Sequence, residues 1–417
     1  MQALDGPATG AQPSQTAEVR GITQKYHVLV LDGESPHKRG DSKLLLIDVD
    51  AGKAIKQIET AGRNPEVCVS DNGKFVAVLT HPKPPTGSTP PTQLHIYRSH
   101  DLSLVASGFL PLADRSVFQG YPPYPTLAFS PDCSEVVWQA MRFYNNKESP
   151  PRTYEYVSLM TVKRELDVGG TYKWAYQSFD IPCCRVVTFL TMRAWPQICI
   201  WNNMLGAVEI VDLAKREIKS RLLIADHPTL SKHSPEELEQ PSLKGRAFEY
   251  LSHSRGTPFV GGPHFVYYVP TAPAYQVGRE IGPYGRFRKL DVSGCPKVVS
   301  EGTELEKDIR ASWAGVSEPT GTIYTVKDRL HRNNFTHLDS RTLKVYKTDD
   351  CRFIREFDVS LPSIHGLYAS RDGKYVYVLS HDNPSIEVLD AKTGKHEGIV
   401  KLPGTYPTLA FALPETM

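Results

Sequence analysis

Apolar and polar residues alternate over short runs along most of the chain, and Gly, Asp, Asn and Pro break the runs at close intervals. Alternation with period two predicts half-buried β-strands. Two segments, NPEVCVSDNGKFVAVLTH (64–81) and IHGLYASRDGKYVYVLSH (364–381), align with each other from end to end. Each is an alternating strand, a tight Asn/Asp-Gly-Lys turn, and a second strand of aromatic and β-branched residues. Gly supplies the positive φ that such short hairpins need. The opening recurs as PTLAFSPDC from Pro125 and as PTLAFALPE from Pro407. A second set of matches, LLLIDVDAGKAIKQI from Leu44, AVEIVDLAKREIKSRL from Ala207 and SIEVLDAKTGKHEGIVKL from Ser385, gives a further strand, turn and strand.

Joined, the two halves make a unit of four antiparallel strands, A to D, in roughly 40–60 residues, the size of a propeller blade. Strands A are predicted to begin near Pro65, Pro125, Arg185, Thr257, Arg310, Ile364 and Tyr406. The last lacks room for B, C and D strands, whereas the N-terminal region offers three unclaimed strands at 26–31, 43–48 and 54–59. The predicted fold is therefore all-β: a seven-bladed β-propeller of four-stranded antiparallel blades. A C-terminal strand A, 408–412, joins the N-terminal strands B–D and closes the ring. Closure removes an open sheet edge and makes the final dozen residues essential to the ring. The expected organisation is a polar leader, 1–22, then one propeller, 23–417, with a lid-like insertion at about 225–256.

The repeats resemble the YVTN family of propeller repeats, in the superfamily that includes amine dehydrogenase heavy chains and propeller lactonases. The last full unit carries the pattern best, as DGKYVYV, then SIEVLDAKTGK, then Gly404-x-x-Pro407 at the start of the next strand. The first unit matches fairly, and the third to sixth diverge. The resemblance implies a fold and no single activity, because propellers host unrelated functions.

Charge narrows the partners. Lys and Arg total 48 against 46 Asp and Glu, so the localised basic excess of a nucleic-acid surface is not expected. No apolar run approaches the roughly 18 residues that cross a bilayer, so a membrane is not an expected partner either. The leader has no apolar h-region, while Asn334-Phe335-Thr336 forms a glycosylation sequon in a predicted loop. The sequon favours a secreted protein whose signal has been removed, and leaves a cytoplasmic home open. Among seven cysteines, Cys68 and Cys199 read as small buried strand residues. Cys133, Cys183, Cys184, Cys295 and Cys351 leave room for one or two disulfides, and none forms a zinc-like pair.

Connections point to one face. The A–B and C–D connections are almost all short turns, whereas the B–C connections 32–42, 81–92, 142–152, 270–285 and 327–334 and the D–A connections 111–124 and 225–256 are long. Long irregular connections in a compact domain are usually functional. The insertion holds SPEELEQPSLKGRAFEYLSHSR, with Ser234 as N-cap and Pro235 at the first helical position, and is expected to form a short helical lid. The expected substrate-binding residues of this D–A/B–C face are Arg63, Tyr121, Tyr124, Tyr144, Arg255, Arg279, Trp313 and Tyr368. Expected catalytic residues are His365, Arg142 and Glu66, with His365 and Glu66 each near the beginning of a strand A. Arginines can clamp a carbonyl, enolate or phenolate while aromatic rings stack on the substrate. His264 reads as a satisfied strand residue.

No nucleophile elbow, zinc-protease motif, phosphate loop or dinucleotide fingerprint is present. A calcium site needs several converging carboxylate or amide oxygens, and only Glu66 is so placed, so neither metal nor cofactor is expected. The leading expectation is a cofactor-independent enzyme that cyclises or rearranges a reactive aromatic or polyoxygenated natural-product intermediate. Such chemistry needs shape, orientation and a few hydrogen-bond donors. One alternative is a lactonase-type hydrolase or isomerase, with Glu66 as base and His365 as acid. The other is a non-catalytic scaffold that binds a protein partner through the same face.

Overall fold

A computed structural model of the protein describes residues 26–32, 42–60, 65–80, 92–110, 127–144, 154–166, 172–181, 187–202, 207–223, 256–260, 264–270, 276–277, 280–281, 286–304, 309–329, 341–362, 364–380, 383–404 and 407–413. The architecture is an all-β propeller with four-stranded antiparallel blades. Among the described residues there are seven such sheets and one two-stranded ribbon.

Blade 1 comprises Glu66–Val69, Phe75–Thr80, Thr92–Arg98 and Leu104–Leu110. Blade 2 comprises Leu127–Phe129, Glu135–Tyr144, Tyr154–Leu166 and Tyr172–Ile181. Blade 3 follows with Val187–Ala194, Gln197–Asn202, Ala207–Asp212 and Glu217–Leu223. Blade 4 is Gly256–Val260, Phe265–Pro270, Arg286–Asp291 and Lys297–Glu304. Blade 5 is Ile309–Ser317, Thr322–Arg329, Thr342–Lys347 and Phe353–Asp358. Blade 6 is Ile364–Ala369, Tyr375–Ser380, Ser385–Asp390 and His396–Lys401. In the closing blade, Pro407–Ala412 is strand A, and His27–Asp32, Ser42–Asp48 and Lys53–Thr60 are strands B, C and D.

The closing pair is antiparallel, with Val28 opposite Ala412 and Val30 opposite Ala410. The alternation of the sequence now has a spatial meaning. Val28, Val30, Leu45 and Ile47 pack toward blade 6, while their neighbours Leu29, Leu31, Leu44 and Leu46 pack toward blade 1. A strand with a core on each side reads as an unbroken apolar run, which is why HVLVLD is buried throughout. The other apolar clusters lie in the same way between consecutive blades.

The A–B turns of blades 1, 2 and 6 share one hydrogen-bond pattern. Ser70, Ser130 and Ser370 donate through Oγ to Asn72, Asp132 and Asp372. The same hydroxyls accept the N–H groups of Phe75, Glu135 and Tyr375 at 2.9–3.0 Å. Gly73 and Gly373 take φ of 69° and 74° there, and Cys133 takes 61° at the corresponding place. A cysteine pays a steric cost at that position that glycine does not, and Cys133 meets it while burying its side chain in the cluster between blades 1 and 2.

Two features were not legible in the sequence. Within the 270–285 connection, Gln276–Val277 pairs with Glu280–Ile281 as a small ribbon. Fully buried Glu387 of blade 6 accepts the N–H groups of Ser360 and Leu361 and contacts Nδ1 of His396 at 2.9 Å. That carboxylate fastens the connector from blade 5 into blade 6. His264 precedes its strand instead of lying in it, with its ring edge-on to Phe265 at 6.4 Å. Cys68, Cys133, Cys199, Cys295 and Cys351 are all free thiols. The leader, the Cys183-Cys184 pair, the sequon at Asn334 and the predicted lid to Arg255 lie outside the described residues.

Candidate functional site

Strands A line the middle of a propeller, so their first residues and the last residues of strands B stand at the D–A/B–C mouth. Glu66 opens strand A of blade 1, half-buried, opposite Leu79. Arg142 and Tyr144 end strand B of blade 2, opposite Tyr156 and Tyr154. Arg63, Tyr121, Tyr124, Arg255 and Arg279 lie outside the described residues.

Several strands A of this wall pair irregularly with their strands B. In blade 6, Ile364 pairs with Ser380 and Gly366 with Leu379, which leaves His365 as an extra residue in a bulge. In blade 5, Ala311 pairs with Lys327 and Ala314 with Thr325, so Ser312 and Trp313 together face one residue, Val326. The closing blade has a third irregularity, between Leu31 and Asp32, and blade 3 two more. Bulges re-aim side chains and occur disproportionately beside active sites. Two residues chosen from sequence, His365 and Trp313, occupy such positions.

One carboxylate at this mouth was missed. Asp32, 7% exposed, ends strand B of the closing blade. The backbone of Gly404 lies so close that a Cβ there would overlap the Asp32 carboxylate. The usable signal was the Gly-x-x-Pro spacing, since Gly404 precedes Pro407 and Pro407 pairs with Asp32. Asp32, Glu66, Arg142, Trp313 and His365 thus occupy five consecutive blades on one end of the ring.

Tyr368 has a different place. It lies toward the far end of its strand, its ring against Gly366, and its hydroxyl accepts the N–H of Ala410 at 3.1 Å. Burial pushes that hydroxyl up to about 12, and the hydrogen bond from Ala410 opposes the rise. The residue is half-buried against the core between blade 6 and the closing blade, and its hydroxyl joins the inner strands of the two. Beneath Glu66, burial drives the Cys68 thiol well above its ordinary value, and nearby Asp71 and Glu66 add to the shift. Such a thiol stays protonated and is a poor nucleophile. Among the described residues, no group of three or more His, Cys, Asp or Glu is arranged to hold a metal ion.

No family model matches the chain, and no curated protein matches it. Solved structures do. The dihydro-heme d1 dehydrogenase NirN, in complex with DHE, is similar at TM-score 0.50 and 13% identity, over 97% of this chain and 77% of that one. A 6-phosphogluconolactonase-like protein from Bacteroides fragilis is similar at TM-score 0.54 and 10% identity, over 94% of this chain and 99% of that one. A functionally unknown protein from Desulfotomaculum acetoxidans reaches TM-score 0.54 at 10% identity, over 93% and 98%. The chain is a β-propeller. At these identities the likeness extends to fold and no further.

Proposed function

We propose that the protein is a small-molecule enzyme whose site is the D–A/B–C mouth of a seven-bladed ring. The observation that carries the reading is the pair of irregular inner strands at His365 and at Ser312–Trp313. Register shifts recur in many strand pairs of the fold, and two of those between strands A and B fall at His365 and at Ser312–Trp313, where sequence independently put acid–base and aromatic residues. The chemistry that fits is proton transfer without a bound redox group: cyclisation, rearrangement or lactone opening of an aromatic or polyoxygenated substrate. In that scheme Glu66 takes a proton from substrate carbon or water, His365 returns one to the developing oxygen, and the Arg142 guanidinium steadies negative charge. Trp313, Tyr144 and the loop residues Arg63, Tyr121, Tyr124, Arg255 and Arg279 supply the binding surface.

A hydrolytic or isomerising variant is the second reading, favoured by a carboxylate, Glu66, and an imidazole, His365, near the openings of two strands A and by the lactonase-like neighbour among solved propellers. The repeats are read as YVTN-type and the sequon at Asn334 as that of a secreted chain. Among the described residues, no helix is long and apolar enough to cross a membrane. The test is substitution. Glu66→Gln, Arg142→Ala and His365→Ala should each abolish turnover of a panel of aromatic lactones and phenolic acids while leaving the melting temperature unchanged. Unfolding in all three variants, or undiminished turnover, would refute the assignment.

A further inference from the structure

The third residue of strand C is ionisable in blades 3, 4, 5 and 6, as Glu209, Arg288, Lys344 and Glu387. In the first three it meets the strand D residue directly opposite. Glu209 lies 2.6 Å from Arg221, Arg288 lies 2.8 Å from Glu301 and Lys344 lies 3.7 Å from Glu356. Blade 6 breaks the pattern, because Ile399 stands opposite Glu387. The fully buried carboxylate turns to the connector from blade 5 instead. Its Oε2 accepts the N–H of Ser360 at 2.9 Å and that of Leu361 at 3.1 Å. Its Oε1 lies 3.1 Å from the Ser360 nitrogen and 2.9 Å from Nδ1 of His396. Hydrogen bonds must replace the hydration that a buried carboxylate gives up. Here the backbone donors belong to the segment that leads into the mouth.

We propose that Glu387 is a positioning residue of the mouth that acts on His365 through this connector, a role that rests on the reading of the mouth as the site. His365 is the extra residue of a bulge, so it has no ladder partner of its own and its place follows from its two flanks. One flank, Gly366, lies against the ring of Tyr368, whose hydroxyl accepts the N–H of Ala410. The other flank, Ile364, is reached from the connector, which is tied along its length. The N–H of Val359 donates to the carbonyl of Arg341 at 2.8 Å, and Glu387 holds the next two N–H groups. The carbonyl of Pro362 then accepts the hydroxyl of Ser380 at 2.8 Å. Ser380 is also the ladder partner of Ile364, so the tied segment ends on the residue pair that opens the bulge. A carboxylate suits the task because both of its oxygens only accept. A glutamine would turn an amide N–H toward groups that themselves donate, and would leave a buried donor unsatisfied.

Two measurements on the full chain without ligand test this, so the assignment stands or falls apart from the reading of the mouth as an enzyme site. The first is amide hydrogen exchange of Glu387→Gln against wild type. Exchange should quicken by about tenfold, the loss of one charge-assisted hydrogen bond, at 359–361 and also at 364–369. Strand A of blade 3 should exchange as in wild type. The second is the NMR resonance of the His365 imidazole, assigned by its loss in His365→Gln, which should move in Glu387→Gln. His396→Ala, which removes the imidazole from the carboxylate at a half-exposed position, should change both readouts in the same direction by less. It decides the matter if Glu387→Gln does not fold. Faster exchange confined to 359–361, with 364–369 and the His365 resonance as in wild type, would make Glu387 a cap of the connector alone and overturn the proposal. Unchanged exchange in both stretches would overturn it too.

Discussion

The guanidinium of Arg371 donates to the backbone carbonyl of Asp71 at 2.6 Å, across 300 residues of sequence. These residues belong to the A–B turns of blades 6 and 1, which flank the closing blade. That blade has no covalent A–B turn, because its strand A comes from the C-terminal end of the chain and its strand B from near the other. Arg371 therefore bridges the one gap that the chain itself does not. Arg371→Ala should lower stability by about 1–2 kcal/mol, the value of a charge-assisted hydrogen bond in a partly buried setting. Urea denaturation measures the loss, and Arg371→Lys, which cannot form the same fork, should recover only part of it.

The same seam depends on pH. Asp372 would be raised by its burial, but the Lys374 N–H, the hydroxyls of Ser370 and Tyr26 and the Lys374 ammonium together hold its carboxyl at about 2. The hydroxyl of Tyr26, just ahead of the first described strand, donates to it at 2.7 Å. Because the folded value lies below the ordinary 3.8, this group's stabilisation is complete above about pH 4. It is lost as pH falls through the range down to about 2. Asp372→Asn should remove about 1 kcal/mol at neutral pH, allowing for solvent screening, and should flatten the decline in stability between pH 4 and 2. Thermal melts over that range read both effects.

Tyr368 separates a structural residue from a substrate contact. Tyr368→Phe removes the acceptor for the Ala410 N–H and should cost about 1–3 kcal/mol. It should leave substrate affinity unchanged in the folded protein. A variant with wild-type melting temperature and weakened binding would return the residue to the site.

Gly404 and Asp32 test the mouth from the opposite side. An alanine Cβ at 404 would overlap the carboxylate, so Gly404→Ala should destabilise by about 1–3 kcal/mol through overpacking. Asp32→Ser, combined with it, should recover much of that loss, whereas the two changes would simply add if they acted independently.

Much of the fold was legible because blades repeat. Strands A expected near Pro65, Thr257, Arg310 and Tyr406 begin at Glu66, Gly256, Ile309 and Pro407. The first of the unclaimed N-terminal strands pairs with the C-terminal one, and the other two follow it in the same sheet. Hairpin turns with Gly at positive φ fix such boundaries locally, and that signal survives in a single sequence. The site was less legible. A bulge is a relation between two strands, so the extra residue at His365 shows only once Ile364 and Gly366 are matched to Ser380 and Leu379. Asp32 looked like the start of a loop because its burial depends on Gly404, far away in sequence. Tyr368 looked like a channel residue because an alternating pattern places a side chain on one face of a strand without saying what its hydroxyl meets.

The central claim, that the D–A/B–C mouth takes a small molecule, is tested most directly by hydrogen exchange. The full chain would be compared with and without a saturating compound chosen from a panel of aromatic lactones and phenolic acids by its effect on melting temperature. The account predicts protection concentrated in the peptides covering 66–69, 309–317 and 364–369, with little change in the turns at 70–74 and 370–374. Protection confined to those turns or to the outer strands would contradict it.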